Sequence, residues 1–360
     1  MSTAIRSPQR RIRAAVLGAT GAVGQTFVRL LANHPWFELV EVAASERSAG
    51  KPYAEATRWV GTGAVPAEIA GKTVLPCDAA AITASVVFSA LDSAAAGDAE
   101  PAFARAGKIV LTNAKNYRMD PDVPLVIAEV NPKHLDVLAA QRRKRGWTGA
   151  IVANGNCSAI VTSLPLAPIH QTFGIQKVMV MTMQAISGAG YPGVPSLDIL
   201  GNVIPFINDE EPKIEAEVRK FLGSTDGQQV ISADFLVSAQ ANRVPVEHGH
   251  TVCMSVALDR RASARDVEEA IAAWQGAETA RNLPSSPERP LVVSDAPDLP
   301  QPRRQVDMGG GMTVVVGRVR PDPIFDVKLV AMGHNVIRGA AGASVLNAEL
   351  MVHCGLLGDT

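Results

Sequence analysis

The first apolar run of the chain, Ile12 to Leu17 (IRAAVL), has no polar alternation, which predicts a short strand buried on both faces. A glycine-spaced turn follows, and Gln25 to Leu31 then reads as helix. The rhythm repeats. FELVEVAAS reads as a strand ending at Ser45, SVVFSAL (85–91) as strand, AEPAFARAG (99–107) as helix and KIVLTN (108–113) as strand. Strands and helices alternating at this length predict a parallel, doubly wound sheet with right-handed crossovers and helices on both faces. A helical stretch over 132–147 ends in a basic tract, Gln141 to Arg145. This tract is read as a solvated helix end whose cations complement the helix dipole, in preference to a localisation signal. GAIVANGNCSAIV (149–161) then reads as strand, sharp turn and helix start.

After Gly174 the texture changes. KVMVMTMQAIS (177–187), HTVCMSVAL (250–258) and MTVVVGRV (312–319) are longer β-rich runs separated by helical or loop segments, which predicts a second, more open α+β domain. The Pro-rich stretch 283–302 reads as a surface loop. The last segment, HNVIRGAAGASVLNAELMV (334–352), predicts a long helix with small residues on one face that returns to the first domain. The expected division is therefore 1–155 with 335–360 as a nucleotide-binding unit, and 156–334 as a catalytic and dimerisation unit.

Composition narrows the class. The 360 residues are 47% hydrophobic and 19% charged, enough for a sizeable core in about two domains and too apolar for disorder. Thirty-four Lys+Arg against 35 Asp+Glu leave a net charge of −1, which argues against a nucleic-acid or membrane-surface partner. The basic N-terminus is broken by glycines too soon for a signal peptide, and no stretch approaches the roughly 20 apolar residues of a membrane span. Cys77, Cys157, Cys253 and Cys354 show no paired spacing and no CxxC, so neither a zinc knuckle nor a dithiol site is expected. Free, mostly buried thiols in a reducing compartment, and hence a cytoplasmic protein, are the expectation.

Three features carry chemistry. Gly18, Gly21 and Gly24 sit where a buried strand turns into a helix, the arrangement that brings backbone N–H groups and a helix N-terminus against a pyrophosphate. Gly18, Thr20, Gly21, Ala22, Val23 and Gly24 are accordingly expected to bind a dinucleotide on a Rossmann-type sheet. At the end of the second strand, Ser45, Arg47 and Ser48 form a 2′-phosphate pocket that favours NADP, although Glu46 could instead reach a ribose hydroxyl. The second feature is Asn154-Gly-Asn-Cys157-Ser-Ala159. A cysteine at a strand-to-helix corner gains from the helix N-terminus, which favours the thiolate, and nearby N–H groups could receive an oxyanion. The third is Arg243-Val-Pro-Val-Glu-His-Gly-His250-Thr, an Arg and a His separated by a rigid, Pro-containing strand. That pair suits clamping a carboxylate and supplying a proton, with His250 the sharper candidate and His248 the blander one.

These segments, with Gln184-Ala-Ile-Ser-Gly-Ala-Gly190, occur together and in order, and the chain closely resembles the aspartate-β-semialdehyde dehydrogenase family, particularly its archaeal and fungal branch. Asn113-Ala-Lys-Asn-Tyr-Arg118, Tyr191-Pro-Gly-Val-Pro-Ser-Leu-Asp198 and Asn335-Val-Ile-Arg-Gly-Ala-Ala-Gly342 fit the same pattern, and the likeness covers nearly the whole chain. The resemblance implies reductive dephosphorylation of L-aspartyl-4-phosphate by NADPH through a thioester. It casts Cys157 as nucleophile, His250 as general acid/base and Gln184 as the group orienting the acyl. Arg243 is expected on the substrate α-carboxylate, Glu210 on the α-ammonium, Lys213 and Arg118 on the phosphate, and Asn156 beside them. Ser187, Gly188 and Asn335, the last in the returning helix, are expected near the cofactor. Glu210 and Lys213 could equally be a solvated helix pair.

Two positions depart from the family. Gly155 stands where Pro is usual before Asn-Cys, which is expected to loosen the nucleophile's loop, and His248 stands where Asp is common. A related acyl-phosphate or acyl-CoA reductase would share the Cys/His chemistry, as would the scaffold of a catalytically silent regulatory protein. The family implies a homodimer or homotetramer.

Overall fold

The computed structural model describes residues 5–358, so the outermost ends of the expected nucleotide-binding unit, 1–4 and 359–360, lie outside it. The first sheet holds β1 (Ile12–Leu17), β2 (Phe37–Ala44), β3 (Leu75–Pro76), β4 (Val86–Ser89), β5 (Ile109–Thr112) and β6 (Ala150–Ala153), in the order β3-β2-β1-β4-β5-β6. All neighbouring pairs are parallel. Strands β4, β5 and β6 are buried at every position, as helices on both faces require. The strand order reverses between β1 and β4, which opens the crevice where a doubly wound sheet takes its ligand.

Helix α1 (Ala22–Leu31) starts three residues earlier than its apolar pattern predicts, immediately after Gly21. Helix α2 (Ser93–Arg105) is capped by Asp92, whose carboxylate accepts from the N–H groups of Ala94 and Ala95. The stretch 132–147 begins as a 3₁₀ turn (Pro132–Val137), and only α3 (Leu138–Arg145) is regular helix, stopped by Gly146 at φ +66°. Its basic tract is a helix end, with Arg145 paired to Asp120 and Asp122.

Helix α4 (Cys157–Phe173) leads out of β6 and is buried continuously from Ser158 to Ile169, so it is packed from all sides. Beyond it lies a mixed sheet of β7 (Ile175–Gln184), β8 (Leu236–Arg243), β9 (His250–Leu258), β10 (Leu291–Ser294), β11 (Val314–Pro321) and β12 (Val327–Gly333). Its order is β8-β7-β9-β12-β11-β10. Strand β8 was not among the expected runs. Its serine, glutamine and asparagine positions mask the β pattern, and it forms an edge strand parallel to β7. The Pro-rich stretch also departs from expectation, since Leu291–Ser294 adds the opposite edge, parallel to β11. Helix α5 (Glu210–Phe221) crosses from this sheet toward the first one.

The C-terminal segment is not one long helix. Residues 334–336 form a turn, Ile337–Ala341 a π-helical turn, and α7 (Gly342–His353) the regular helix; the packed helix between β9 and β10 is α6 (Ala264–Ala273). The π turn accommodates Arg338, which is 0% exposed and forms a bidentate ion pair with Glu129 at 2.7 Å for both contacts. From Gly342 to Val352 every residue is buried, not one face only, and α7 joins the core formed by β1, β2 and α1. The return to the first sheet is therefore as expected.

Glu100 on α2 is fully buried, accepts a hydrogen bond from the Thr112 hydroxyl at 2.6 Å, and has a second carboxyl oxygen without a partner. Burial raises its pKa against the lowering effects of Thr112, Ser89 and Arg118. A raised folded-state value means that stability falls as pH climbs from the ordinary carboxyl range through the folded one. Glu100→Gln should therefore melt higher than wild type at about pH 7, with the advantage vanishing near pH 4, where both side chains are neutral. Thermal melts at the two pH values check this.

Candidate active site

The site forms where three neighbouring strand ends meet the first turn of α4. Gln184 ends β7 and is paired in register with Arg243, the last residue of β8. His250 opens β9 on the other side of β7. Arg243 and His250 thus do not share one strand, as their spacing implied. The Pro-containing link 244–249 is a turn, and the two residues flank Gln184 from adjacent strands. All three are buried; His250 meets Cys157 directly and Arg243 acts on it electrostatically.

Cys157 Sγ lies 3.1 Å from His250 Nε2. The peptide of Ala185 orients both residues beside it. Its N–H donates to His250 Nδ1 at 3.0 Å, and its carbonyl accepts from Arg243 Nη1 at 2.8 Å. Gly188 lies under the same pair. A Cβ there would come within 3.0 Å of both the Arg243 guanidinium and the His250 ring, so this glycine leaves them room.

Burial dominates the electrostatics. The Cys157 thiol is pushed up to about 12 by desolvation and, secondarily, by the Glu210 carboxylate, against the pull of Arg118, Arg243 and the Ser158 N–H. His250 is pushed down to about 3 by desolvation, Arg243 and His334. The expected thiolate-favouring helix N-terminus is outweighed, and the resting pair is a thiol beside a neutral imidazole. Part of the reason is local. The N–H groups of Ser158 and Ala159 are taken by the Asn156 side-chain carbonyl, which caps α4, and are not free for an oxyanion.

Asn156 therefore works as the helix cap, and its amide nitrogen reaches Glu210 Oε1 at 2.9 Å. Gln184 Nε2 donates to the same oxygen at 2.9 Å. Glu210 stands at the start of α5, preceded by Asp209 in the left-handed region (φ 57°), whose carboxylate pairs with Lys115 at 3.1 Å. Lys213 is one turn on, 3.9 Å from Glu210 Oε2 and partly exposed. The two residues form the i,i+3 helix pair that their spacing allows, with Glu210 buried and Lys213 partly exposed.

Arg118 is buried and paired with Glu217 at 2.9 Å, while its Nη2 donates to the Asn113 carbonyl. Its Nε has no partner, a buried donor open to an anion. Glu217 was not anticipated, because a second glutamate on a polar helix gives no signal in the chain. Its other carboxylate oxygen accepts from the Asn156 N–H at 2.5 Å, so one side chain ties Arg118 to the nucleophile's loop. Gly155 makes this possible. A Cβ there would lie 2.3 Å from Phe221 Cζ and 3.0 Å from Glu217 Oε2. The departure from proline tightens this loop where loosening was expected.

On the cofactor side, Gly18 has φ +67° and a Cβ would meet the Ala90 carbonyl at 2.6 Å; at Gly24 it would meet the Gly18 carbonyl at 2.1 Å. Gly21 caps α1 without any side-chain hydrogen bond, so the first turn of Ala22, Val23 and Gly24 has no side-chain cap on its N–H groups. Thr20 offers its carbonyl to Gln25 Nε2 within the same turn. Ser45, Glu46 and Arg47 are exposed just past β2, with Ser48 closing a turn onto Ser45. Asn335 lies in the turn before the π helix and not in a helix. Its amide binds the Gly249 N–H at 2.9 Å and the Ser187 hydroxyl at 2.8 Å. Ser187 also meets His248 Nδ1, and His248 stacks on His334. This network anchors the turn that delivers His250. The thiols outside the site are free as expected, but none is fully buried: Cys77 and Cys253 are half-buried and Cys354 is exposed.

Family models match both halves of the chain, the semialdehyde dehydrogenase NAD binding domain over residues 13–138 and the semialdehyde dehydrogenase dimerisation domain over 166–338. An aspartate-semialdehyde dehydrogenase of Archaeoglobus fulgidus is 50% identical over 342 residues, covering 95% of this chain and 98% of that one. The chain belongs to the aspartate-semialdehyde dehydrogenase family. A fungal relative of the same name, from Schizosaccharomyces pombe, is 47% identical over 95% of this chain and 98% of its own. The crystal structure of the Candida albicans aspartate semialdehyde dehydrogenase with NADP superposes with a TM-score of 0.89 at 41% identity, covering 97% of this chain and all of that one. The dimerisation domain of the family makes the protein a homo-oligomer. Among the described residues no helix is long and apolar enough to cross a membrane.

Gly155→Ala should cost ~1–3 kcal/mol by overpacking against Phe221, read by urea unfolding. Phe221→Leu, which removes the clashing ring edge, should recover part of that loss in the double variant, and full additivity of the two losses would show that the contact is unimportant.

Proposed function

We propose that this chain is an NADP-dependent aspartate-semialdehyde dehydrogenase, reducing L-aspartyl-4-phosphate to L-aspartate-4-semialdehyde with release of phosphate. The observation that carries the reading is the 3.1 Å contact between Cys157 Sγ and His250 Nε2, with Arg243 and Glu210 acting on the sulfur electrostatically and Gln184 bonded to Glu210. Cys157 attacks the acyl carbon and forms a thioester. His250 governs the proton at the sulfur, and Gln184 orients the acyl group. Arg243, fixed by the Ala185 carbonyl, presents its remaining guanidinium edge to the α-carboxylate. Glu210 receives the α-ammonium, and Arg118 with Lys213 grips the phosphate through the free Nε and the partly exposed ammonium. Asn156 acts by holding Glu210 and the helix start rather than by touching substrate.

The residues present fit the dinucleotide. The uncapped start of α1 and the glycine-enforced close approach at Gly18 and Gly24 suit a pyrophosphate, and exposed Ser45 and Arg47 with half-buried Ser48 suit the 2′-phosphate. When bound, the nicotinamide supplies the hydride. Ser187, Gly188 and Asn335, grouped beside His250, would hold the nicotinamide. The division of labour follows the two sheets, 1–155 with 335–360 binding NADP and 156–334 carrying catalysis and dimer contacts. The enzyme works in the cytoplasm as a homodimer or homotetramer in lysine, threonine and methionine biosynthesis. Four free thiols and the family's dimerisation domain support that setting.

Oxidation of aspartate semialdehyde with NADP and phosphate, followed by absorbance of the reduced cofactor, tests the activity. Cys157→Ala should abolish turnover while leaving NADP binding nearly intact, and mass spectrometry should find the acyl adduct on Cys157 alone. Arg47→Leu should weaken NADP by about 1.5–3 kcal/mol, roughly 10- to 150-fold, with NAD little changed. Equal losses for both cofactors would make Arg47 structural. Arg243→Lys keeps the charge and loses the fork, so KM for the semialdehyde should rise more than kcat falls.

A further inference from the structure

Glu217 on α5 is 2% exposed and joins two loops that come from different parts of the chain. Its Oε1 accepts from Arg118 Nη1 at 2.9 Å, and its Oε2 accepts from the Asn156 N–H at 2.5 Å. Gly155 leaves space for it, since a Cβ there would lie 3.0 Å from Oε2. With both oxygens engaged, the side chain cannot swing aside without leaving a buried donor unpaired. Glu217 is therefore a fixed negative charge.

The cation it meets is only partly satisfied. Arg118 is 8% exposed, gives Nη1 to Glu217 and Nη2 to the Asn113 carbonyl, and keeps an Nε–H without a partner. Glu100 also feels the Arg118 charge, but burial raises its pKa, and Glu217 is the carboxylate at hydrogen-bond distance. Lys220, one turn further along α5, is a second buried cation, and Asp120, Asp122 and Glu217 all favour its charged form against burial. Loss of the Glu217 charge would leave the Arg118 guanidinium buried without its counter-charge, the situation in which an incoming anion is held most tightly.

We propose that Glu217 sets the affinity of the phosphate seat on Arg118, partly neutralising the guanidinium so that phosphate is held loosely enough to leave once the thioester has formed. This role rests on the function above for the placing of phosphate on Arg118. A phosphate group at the free Nε edge meets a guanidinium already engaged by a carboxylate, and repulsion from Glu217 across the same side chain offsets part of the attraction. Tighter binding of the phosphate throughout the reaction would lower KM without raising kcat. Glu217 touches neither substrate nor cofactor, so it is a positioning residue that acts through Arg118.

Inorganic phosphate is the probe. Thermal melts over a phosphate series, with chloride at matched ionic strength as the blank, compare wild type with Glu217→Gln, Glu217→Asp and Arg118→Gln. Glu217→Gln should melt below wild type in chloride and gain more from phosphate, with its half-maximal response at about tenfold lower concentration. Glu217→Asp keeps the charge and should respond like wild type, which separates charge from shape. In the enzymatic assay the KM for phosphate should fall in Glu217→Gln while the KM for aspartate semialdehyde is little changed. A phosphate response in Glu217→Gln equal to or weaker than that of wild type overturns the proposal, as does a Glu217→Asp protein that behaves like Glu217→Gln. If Glu217→Gln does not fold in chloride, phosphate should restore the folded protein, and failure to do so counts against the role. Arg118→Gln should lose the phosphate response. If it keeps that response, phosphate sits elsewhere and the placing on Arg118 falls together with the role of Glu217. The melts use no substrate, so an inactive wild type with the expected melts would fault the proposed function alone.

Discussion

Charge buried between two sheets has to find its counter-charge and hydrogen bonds inside the protein, and this requirement organises the molecule. Helix α5 brings Glu210, Glu217 and Lys220 into the interior along its length. Lys220 is 1% exposed, and its ammonium donates to the carbonyls of Arg118, Asp120 and Val123. Burial lowers it to about 8. Glu217 holds the guanidinium of Arg118 with one oxygen and the Asn156 N–H with the other. The loop after β5 is thus held at both its backbone and its side chain by one helix. An unpaired charge here would cost several kcal/mol, so this set persists only when complete.

The same economy applies on the strand side. Gln184, Arg243 and His250 come from three adjacent strands, and the peptide unit after Gln184 satisfies the last two at once. Sheet register places Arg243 opposite Gln184, and the turn 244–249 returns the chain to start β9 beyond β7. Hydrogen bonds from the N–H groups of Ile186 and Ser187 to the Val246 and Glu247 carbonyls bind that turn to the segment after β7. Precision at the sulfur comes from this backbone scaffold, with Ser187, His248 and Asn335 fixing its outer side.

The C-terminal return closes the structure against the nucleophile. The π turn at Ile337–Ala341 brings Gly339 so close that a Cβ there would sit 2.5 Å from Cys157 Cβ. Arg338, one residue earlier, is locked to Glu129 on the first domain's side. Glycine at 339 and a buried ion pair at 338 therefore explain why this helix widens for one turn at the point where it passes the site.

Much of the architecture can be read from local pattern alone. Uninterrupted apolar runs such as VVFS and IVLT mark strands buried on both faces, and Gly18, Gly21 and Gly24 mark the turn into a helix, because these depend on neighbours in sequence. Cys157, His250, Gln184 and Arg243 were likewise legible as a set through their motifs. Strand β8 and the strand inside the Pro-rich stretch were not, since edge strands need no continuous apolar signal. Nor could a linear pattern place Arg243 and His250 on separate strands, make Glu217 a partner of Arg118, or show that Gly155 makes room for Phe221. The acidity of Cys157 was misjudged for the same reason. A helix N-terminus is visible in the chain, but desolvation is a property of everything packed around the sulfur, and only the tertiary structure sets it.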